Sequence, residues 1–117
     1  MDVFAVFLVS KIDDLFVATT RTDGKVGLAG GKIDKGESPK QALIREVSEE
    51  GWKLPADVQL KLIHQQLVDG KICQWYQSDK SPVALTSYKE KYRGITPILI
   101  NQQQLIDSGM GNQNLKL

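Results

Sequence analysis

Gly30-Gly31-Lys32-Ile33-Asp34-Lys35-Gly36-Glu37-Ser38-Pro39-Lys40-Gln41-Ala42-Leu43-Ile44-Arg45-Glu46-Val47-Ser48-Glu49-Glu50-Gly51-Trp52 changes period half-way along, and that change organises the rest of the chain. Its first part continues a glycine-rich passage, Gly27 to Gly36. Ser38 then offers an N-cap hydroxyl, Pro39 suits the first helical position, and Gln41 is placed for a capping box, so a helix starts here. Gly51 suits the left-handed conformation that commonly ends helices, giving roughly three turns. With successive residues ~100° apart, Ala42, Glu46, Glu49 and Glu50 share one side, while Leu43, Val47 and Ile44 turn toward another. Like charges three or four residues apart repel by a few tenths of a kcal/mol per pair, and a helix C-terminus is unfavourable to anions. Arg45, four residues before Glu49, relieves only part of this. A solvated acidic face is the ordinary reading of such a helix. Here a glycine-rich turn carrying a further acid, Glu37, leads straight into it, so backbone carbonyls and a fourth carboxylate can approach the same spot. Hard oxygen donors converging from a helix and a loop suit Mg²⁺.

Upstream, Val3 to Ser10 and Leu15 to Thr20 are β-rich runs joined through Asp13-Asp14, and Thr22-Asp23-Gly24-Lys25 is a further turn signal. Downstream, Val58 to Val68 and Ile72 to Tyr76 flank Asp69-Gly70, which fits the primed turn of a two-residue hairpin. Ser78 to Tyr92 carries turn formers and charges without a period and reads as a partly ordered loop. Ile95 to Ile100 returns as a strand, with Pro97 pointing to an incomplete ladder on one side. A short helix capped by Asn101 and carrying Leu105 and Ile106 follows, and the tail from Gly109 frays.

The 117 residues, 41% hydrophobic and 25% charged, lie in the range of a single domain. The apolar run Val3 to Val9 falls far short of the ~20 residues of a membrane span, and no basic region precedes it. No membrane partner is expected. Cys73 is the only cysteine and cannot form an internal disulfide, so a cytoplasmic location is the default expectation. A net charge of +1 makes no electrostatic case for nucleic acid as the main partner.

The run from Gly31 to Glu37, seven intervening residues, and Arg45-Glu46-Val47-Ser48-Glu49-Glu50 resembles the Nudix box, G-x5-E-x7-R-E-U-x-E-E-x-G-U with U aliphatic. Every position through Glu50 matches. Two places depart from the family pattern. Ala29 stands where proline is common, and Gly51 follows Glu50 with no free residue between. Either Trp52 replaces the family glycine, or one residue is missing and Gly51-Trp52 serve as glycine and hydrophobic residue.

The resemblance implies an α+β fold of α/β/α sandwich type, with a mixed sheet between the box helix and a short C-terminal helix. It implies hydrolysis of a pyrophosphate bond in a nucleoside diphosphate derivative, a (deoxy)nucleoside triphosphate or similar small nucleotide, with Mg²⁺ as cofactor and Mn²⁺ as a substitute. Carried over by residue, the metal set is Glu46, Glu49 and Glu50 with the Gly30 carbonyl, and Glu90 as an extra acid from a later loop. The catalytic set is Glu46, Glu49, Arg45 and Glu37, Arg45 orienting Glu49 or Glu37. Glu46 or Glu49 is preferred over Glu90 as general base. Gly31, Lys32, Trp75 and Tyr76 are candidate substrate contacts; Trp75 and Tyr76 point to opposite strand faces, so at most one stacks on a base. Tyr88 and Tyr92 are loop aromatics that could also reach a base, and His64 reads as a strand residue rather than a ligand. An RNA 5′-end pyrophosphohydrolase and a non-catalytic nucleotide sensor are the alternatives; the intact glutamate pairs weigh against the sensor. A monomer or homodimer is expected.

Overall fold

The glycine-rich passage and the box helix lie against a strand pair buried on both sides, and the rest of the chain covers that pair. The computed structural model describes residues 2–20, 23–85 and 94–108. In order, these contain β1 (Val3–Val9), β2 (Lys11–Ile12), β3 (Leu15–Thr20), β4 (Val26–Leu28), β5 (Gly30–Lys32), α1 (Pro39–Glu49), β6 (Trp52–Lys53), β7 (Leu60–Val68), β8 (Lys71–Ser78), β9 (Val83–Ala84), β10 (Thr96–Ile100) and α2 (Gln102–Asp107).

β1 and β8 run parallel at the middle of a mixed sheet ordered β5-β1-β8-β7, whose outer pairings are antiparallel. Parallel pairs occur where both faces are covered. On β1, Val6 and Leu8 join one apolar cluster and Ala5 and Val9 the other. A second sheet, ordered β10-β3-β2 with β4 on β3, supplies Val17 to the first cluster and Phe16 and Ala18 to the second. α1 closes the first cluster with Ala42, Leu43 and Val47, and α2 closes the other with Leu105. A helix thus covers each side of the β-layer, as the expected sandwich requires.

The turns follow their residues. Asp13 and Asp14 take φ of 50° and 67°, and Asp69 and Gly70 take 51° and 77°, the positive pairs that two-residue hairpins need. Ser38 and Gln41 make the complete capping box, and Asn101 and Gln104 make a second one on α2. Pro97 sits on β10, which pairs only with β3 among the described residues, so its missing N–H faces an open edge. Among the described residues no helix is long and apolar enough to cross a membrane.

Three details differ from the sequence reading. The glycine passage is not only loop: β4 and β5 lie within it, paired to β3 and β1. Ile44 is 47% exposed rather than turned in with Leu43 and Val47, because one residue of helix swings it ~100° off their stripe. The expected loop from Ser78 contains β9, which pairs with β6; residues 86–93 of it, like the tail from Gly109, lie outside the described set.

Gly51 and Trp52 take distinct places at the helix exit. Gly51 adopts φ of 91° directly after the C-cap residue Glu50, and Trp52 is buried in the α1-side cluster. Gly51 thus ends the helix and Trp52 packs into the core beside it. The Trp52 Nε1–H donates to the Ala18 carbonyl at 2.8 Å, tying the helix exit to β3. Trp52→Phe should retain the packing but leave that carbonyl unpaired, lowering stability by about 1–3 kcal/mol in urea denaturation.

Candidate active site

Arg45 lies one residue before the first box glutamate and collects the acids around it. Its Nε and Nη2 donate to the two carboxylate oxygens of Glu37 at 2.8 and 2.9 Å, the planar fork pairing that only arginine makes. Nη1 reaches Glu46 Oε1 at 3.1 Å and Glu49 Oε2 at 3.3 Å. Nη2 also donates to the Lys32 carbonyl at 3.1 Å and lies 3.3 Å from Asp34 Oδ2. One guanidinium therefore serves four carboxylates and a strand carbonyl. The turn entering the helix is tied into the same hub, since Glu37 Oε1 also accepts the Asp34 N–H at 2.8 Å.

These contacts set the protonation of the site. Hydrogen bonding to Arg45, then to the Asp34 backbone, holds Glu37 below the ordinary glutamate range, and pairing with Glu37 in turn holds Arg45 protonated. Glu46 is pushed the other way: burial raises its pKa, and Arg45 opposes this only in part.

The Glu46 carboxylate is seated by an absence. A Cβ at Gly31 would lie 2.6 Å from its Cδ and Oε2, so a side chain there would displace the carboxylate from its place against β5. Gly30 is constrained from the other side. Its φ is 150°, and a Cβ there would meet the Val6 carbonyl at 2.1 Å. The Gly30 N–H donates to Glu50 Oε1 at 2.7 Å. Glu50 stands at the C-cap, 7% exposed, and bridges the helix exit back to β5. Glu50 thus has a different setting from Glu46 and Glu49, which both meet Arg45 Nη1.

Beside this row of acids opens a cleft of about 420 Å³, with Phe4, Phe7, Val26, Lys25, Lys32 and Glu50 among its walls. Gly30 and Gly31 form the border between acids and cleft. Lys32, expected at the substrate, lines it. Trp75 and Tyr76 do not; they are 0% and 6% exposed. They do take opposite faces, but the Trp75 ring stacks on Phe7 at 5.3 Å and meets His64 at 5.2 Å, while the Tyr76 hydroxyl donates to Gln74 at 2.7 Å. As placed, neither ring offers a face to a base. The Trp75 Nε1 has no hydrogen-bond partner among the described residues. His64 pairs with Gln66 at 3.0 Å, in keeping with its reading as a strand residue. Glu90, Tyr88 and Tyr92 lie outside the described residues. Sequence reasoning missed Phe4, Phe7, Lys25 and Asp34. Asp34 carried a signal, being three residues before Glu37, whereas the aromatics were hidden in an apolar strand.

Among the described residues no three acidic, histidine or cysteine side chains already converge as a closed metal cage. Mg²⁺ takes one or two carboxylates, keeps waters and completes its shell with substrate phosphates. The donor set, carboxylates seated against a bare glycine backbone, fits such an ion.

A half-buried row of carboxylates on a helix, backed by one arginine and bordered by two glycines and a cleft, is the arrangement of a phosphate-handling hydrolase site. The NUDIX domain model matches residues 2–91, so the chain belongs to the Nudix family and is a pyrophosphohydrolase. No curated protein matches it significantly. Among solved structures it is similar to a NUDIX hydrolase from Nitrosomonas europaea, with a TM-score of 0.65 and 20% identity over 96% of this chain and 91% of that one. It is also similar to a MutT protein described from Aliivibrio salmonicida and Vibrio cholerae, at 0.63 and 20% over 90% and 84%. A third, a Bacillus subtilis pyrophosphohydrolase, gives 0.64 and 21% over 86% and 64%. At these identities the likeness establishes the Nudix fold.

The depressed Glu37 pKa has a consequence for stability. Its ion pair with Arg45 contributes fully above the unfolded-state glutamate pKa and is lost as pH falls through the lower folded-state value. Melting temperature should therefore decline below about pH 4.3, and Glu37→Gln should flatten that acid limb relative to wild type.

Proposed function

We propose that this protein hydrolyses a pyrophosphate bond of a (deoxy)nucleoside triphosphate or similar small nucleotide, with Mg²⁺, in the cytoplasm. The observation that carries this reading is the seating of the Glu46 carboxylate on Gly31, beside Glu49 and at the edge of a cleft. Glu46, Glu49 and Glu50, with the Gly30 carbonyl, would hold the ion. When bound, it neutralises the phosphate oxygens that repel a nucleophile and lowers the pKa of water.

The chain's own groups supply the rest. Glu46 is the proposed general base, and burial raises its affinity for the proton taken from water. Arg45 is a positioning residue: it fixes Glu37, Glu46 and Glu49 and keeps their mutual repulsion in check. Glu37 locks Arg45 in one orientation through both prongs of its fork. Gly31 and Lys32 lie where the substrate's phosphates would pass from the acids into the cleft. The net charge of +1 and a cleft of about 420 Å³ suit a free nucleotide better than an RNA chain.

The test is to incubate the purified protein with Mg²⁺ and a panel of nucleoside di- and triphosphates, nucleotide sugars, dinucleotides and 5′-triphosphate RNA, and to identify the products. Turnover of triphosphates, abolished by a chelator, is expected. Glu46→Gln should lower the rate by about 10²–10⁴ while the fold is retained. A variant with the wild-type rate would show that the reacting face is elsewhere.

A further inference from the structure

β1 and β8 slip register between Val3 and Ala5, which leaves Phe4 as an extra residue on β1. Bulges of this kind re-aim a side chain. Phe4 packs against the same cluster as Ala5 and Phe7, and its ring lines the cleft. On one flank is β5, where Lys32 pairs with Ala5; on the other is β8, which opens with Lys71. Both lysines reach over this one ring: the Lys71 Nζ lies 4.2 Å from its centre and the Lys32 Nζ 5.4 Å.

Two ammonium groups held at one phenyl ring repel each other, and the ring's attraction for a cation is weak at a solvated position. Acid partners would be the usual remedy. Among the described residues neither Lys32 nor Lys71 makes an ion pair, although acids abound nearby on α1. Lys25 and Lys32 line the cleft together with Glu50, whereas Glu46 and Glu49 are held by Arg45. Lys32 links the two groups, its carbonyl held by Arg45 and its side chain over Phe4.

We propose that Lys71, acting with Lys32 across Phe4, is a specificity-determining residue that binds the terminal phosphate of a nucleoside triphosphate. This rests on the pyrophosphohydrolase reading above. It goes beyond it by assigning the end of the substrate remote from the box helix to a residue outside the box. A nucleoside diphosphate would leave the two lysines without an anion. A nucleotide sugar would put a neutral ring there.

The test is calorimetric titration of the protein with methylene-bridged, non-hydrolysable nucleoside triphosphate and diphosphate analogues, so that binding is read without catalysis. Wild type should prefer the triphosphate by about tenfold, the worth of one charge-assisted contact. Lys71→Met, which keeps the apolar stem over Phe4, should erase that preference, and Lys71→Arg should restore it. An undiminished preference in Lys71→Met, or none in wild type, would overturn the assignment. So would tighter binding of a short 5′-triphosphate RNA than of the free analogue, in favour of an RNA end. Failure of the functional reading would look different: no turnover of any hydrolysable nucleotide by wild type, whatever the titrations give.

Discussion

Arg45 holds together what would otherwise repel. Glu46, Glu49 and Glu50 lie toward the C-terminus of α1, where both the helix dipole and their mutual repulsion oppose negative charge. No basic residue in the last turn offsets this. The compensation comes from one guanidinium in the middle of the helix, anchored by a two-pronged pairing to Glu37 and by the Lys32 carbonyl. Because Glu37 enters from the loop and Lys32 from β5, the same interaction fixes the helix relative to the sheet and the carboxylates relative to the cleft.

The second constraint is steric. At Gly30 strand β1 approaches so closely that its Val6 carbonyl leaves no room for a side chain, and at Gly31 the Glu46 carboxylate from α1 takes the space a Cβ would occupy. Burying Glu46 in this way raises its proton affinity, while the fork from Arg45 depresses that of Glu37. Two glutamates nine residues apart are thereby driven in opposite directions. Such divergence is what a site needs when one carboxylate is to accept a proton and another is to remain a permanent anion.

Local chemistry made much of this legible in the sequence. The Ser38 cap, the Gly51 stop, the Asp69-Gly70 hairpin and the Asn101 helix are all where residue types alone place them, because caps and positive-φ turns depend on few neighbours. The box acids were legible through spacing. What was not legible depends on tertiary contact. β4 and β5 carry glycines that ordinarily argue against strands, and on β5 the approach of Val6 to Gly30 and of Glu46 to Gly31 accounts for them. Trp75 and Tyr76 could be assigned to opposite faces by alternation, but not to the core, since both faces of β8 are covered by segments distant in sequence. The Phe4 bulge exists only as a slip between β1 and β8.

The central claim is that the acids gathered by Arg45, seated against Gly30 and Gly31, are where a divalent cation binds. Paramagnetic broadening by Mn²⁺ tests it most directly, because the effect falls off steeply with distance and needs no substrate. Titrating Mn²⁺ into isotopically labelled protein should broaden the backbone amides of Gly30, Gly31, Glu46, Glu49 and Glu50 first, while those of Gln66 on β7 and Leu105 on α2 persist, and excess Mg²⁺ should reverse the effect. Broadening centred elsewhere, or none at concentrations that support turnover, would contradict the account.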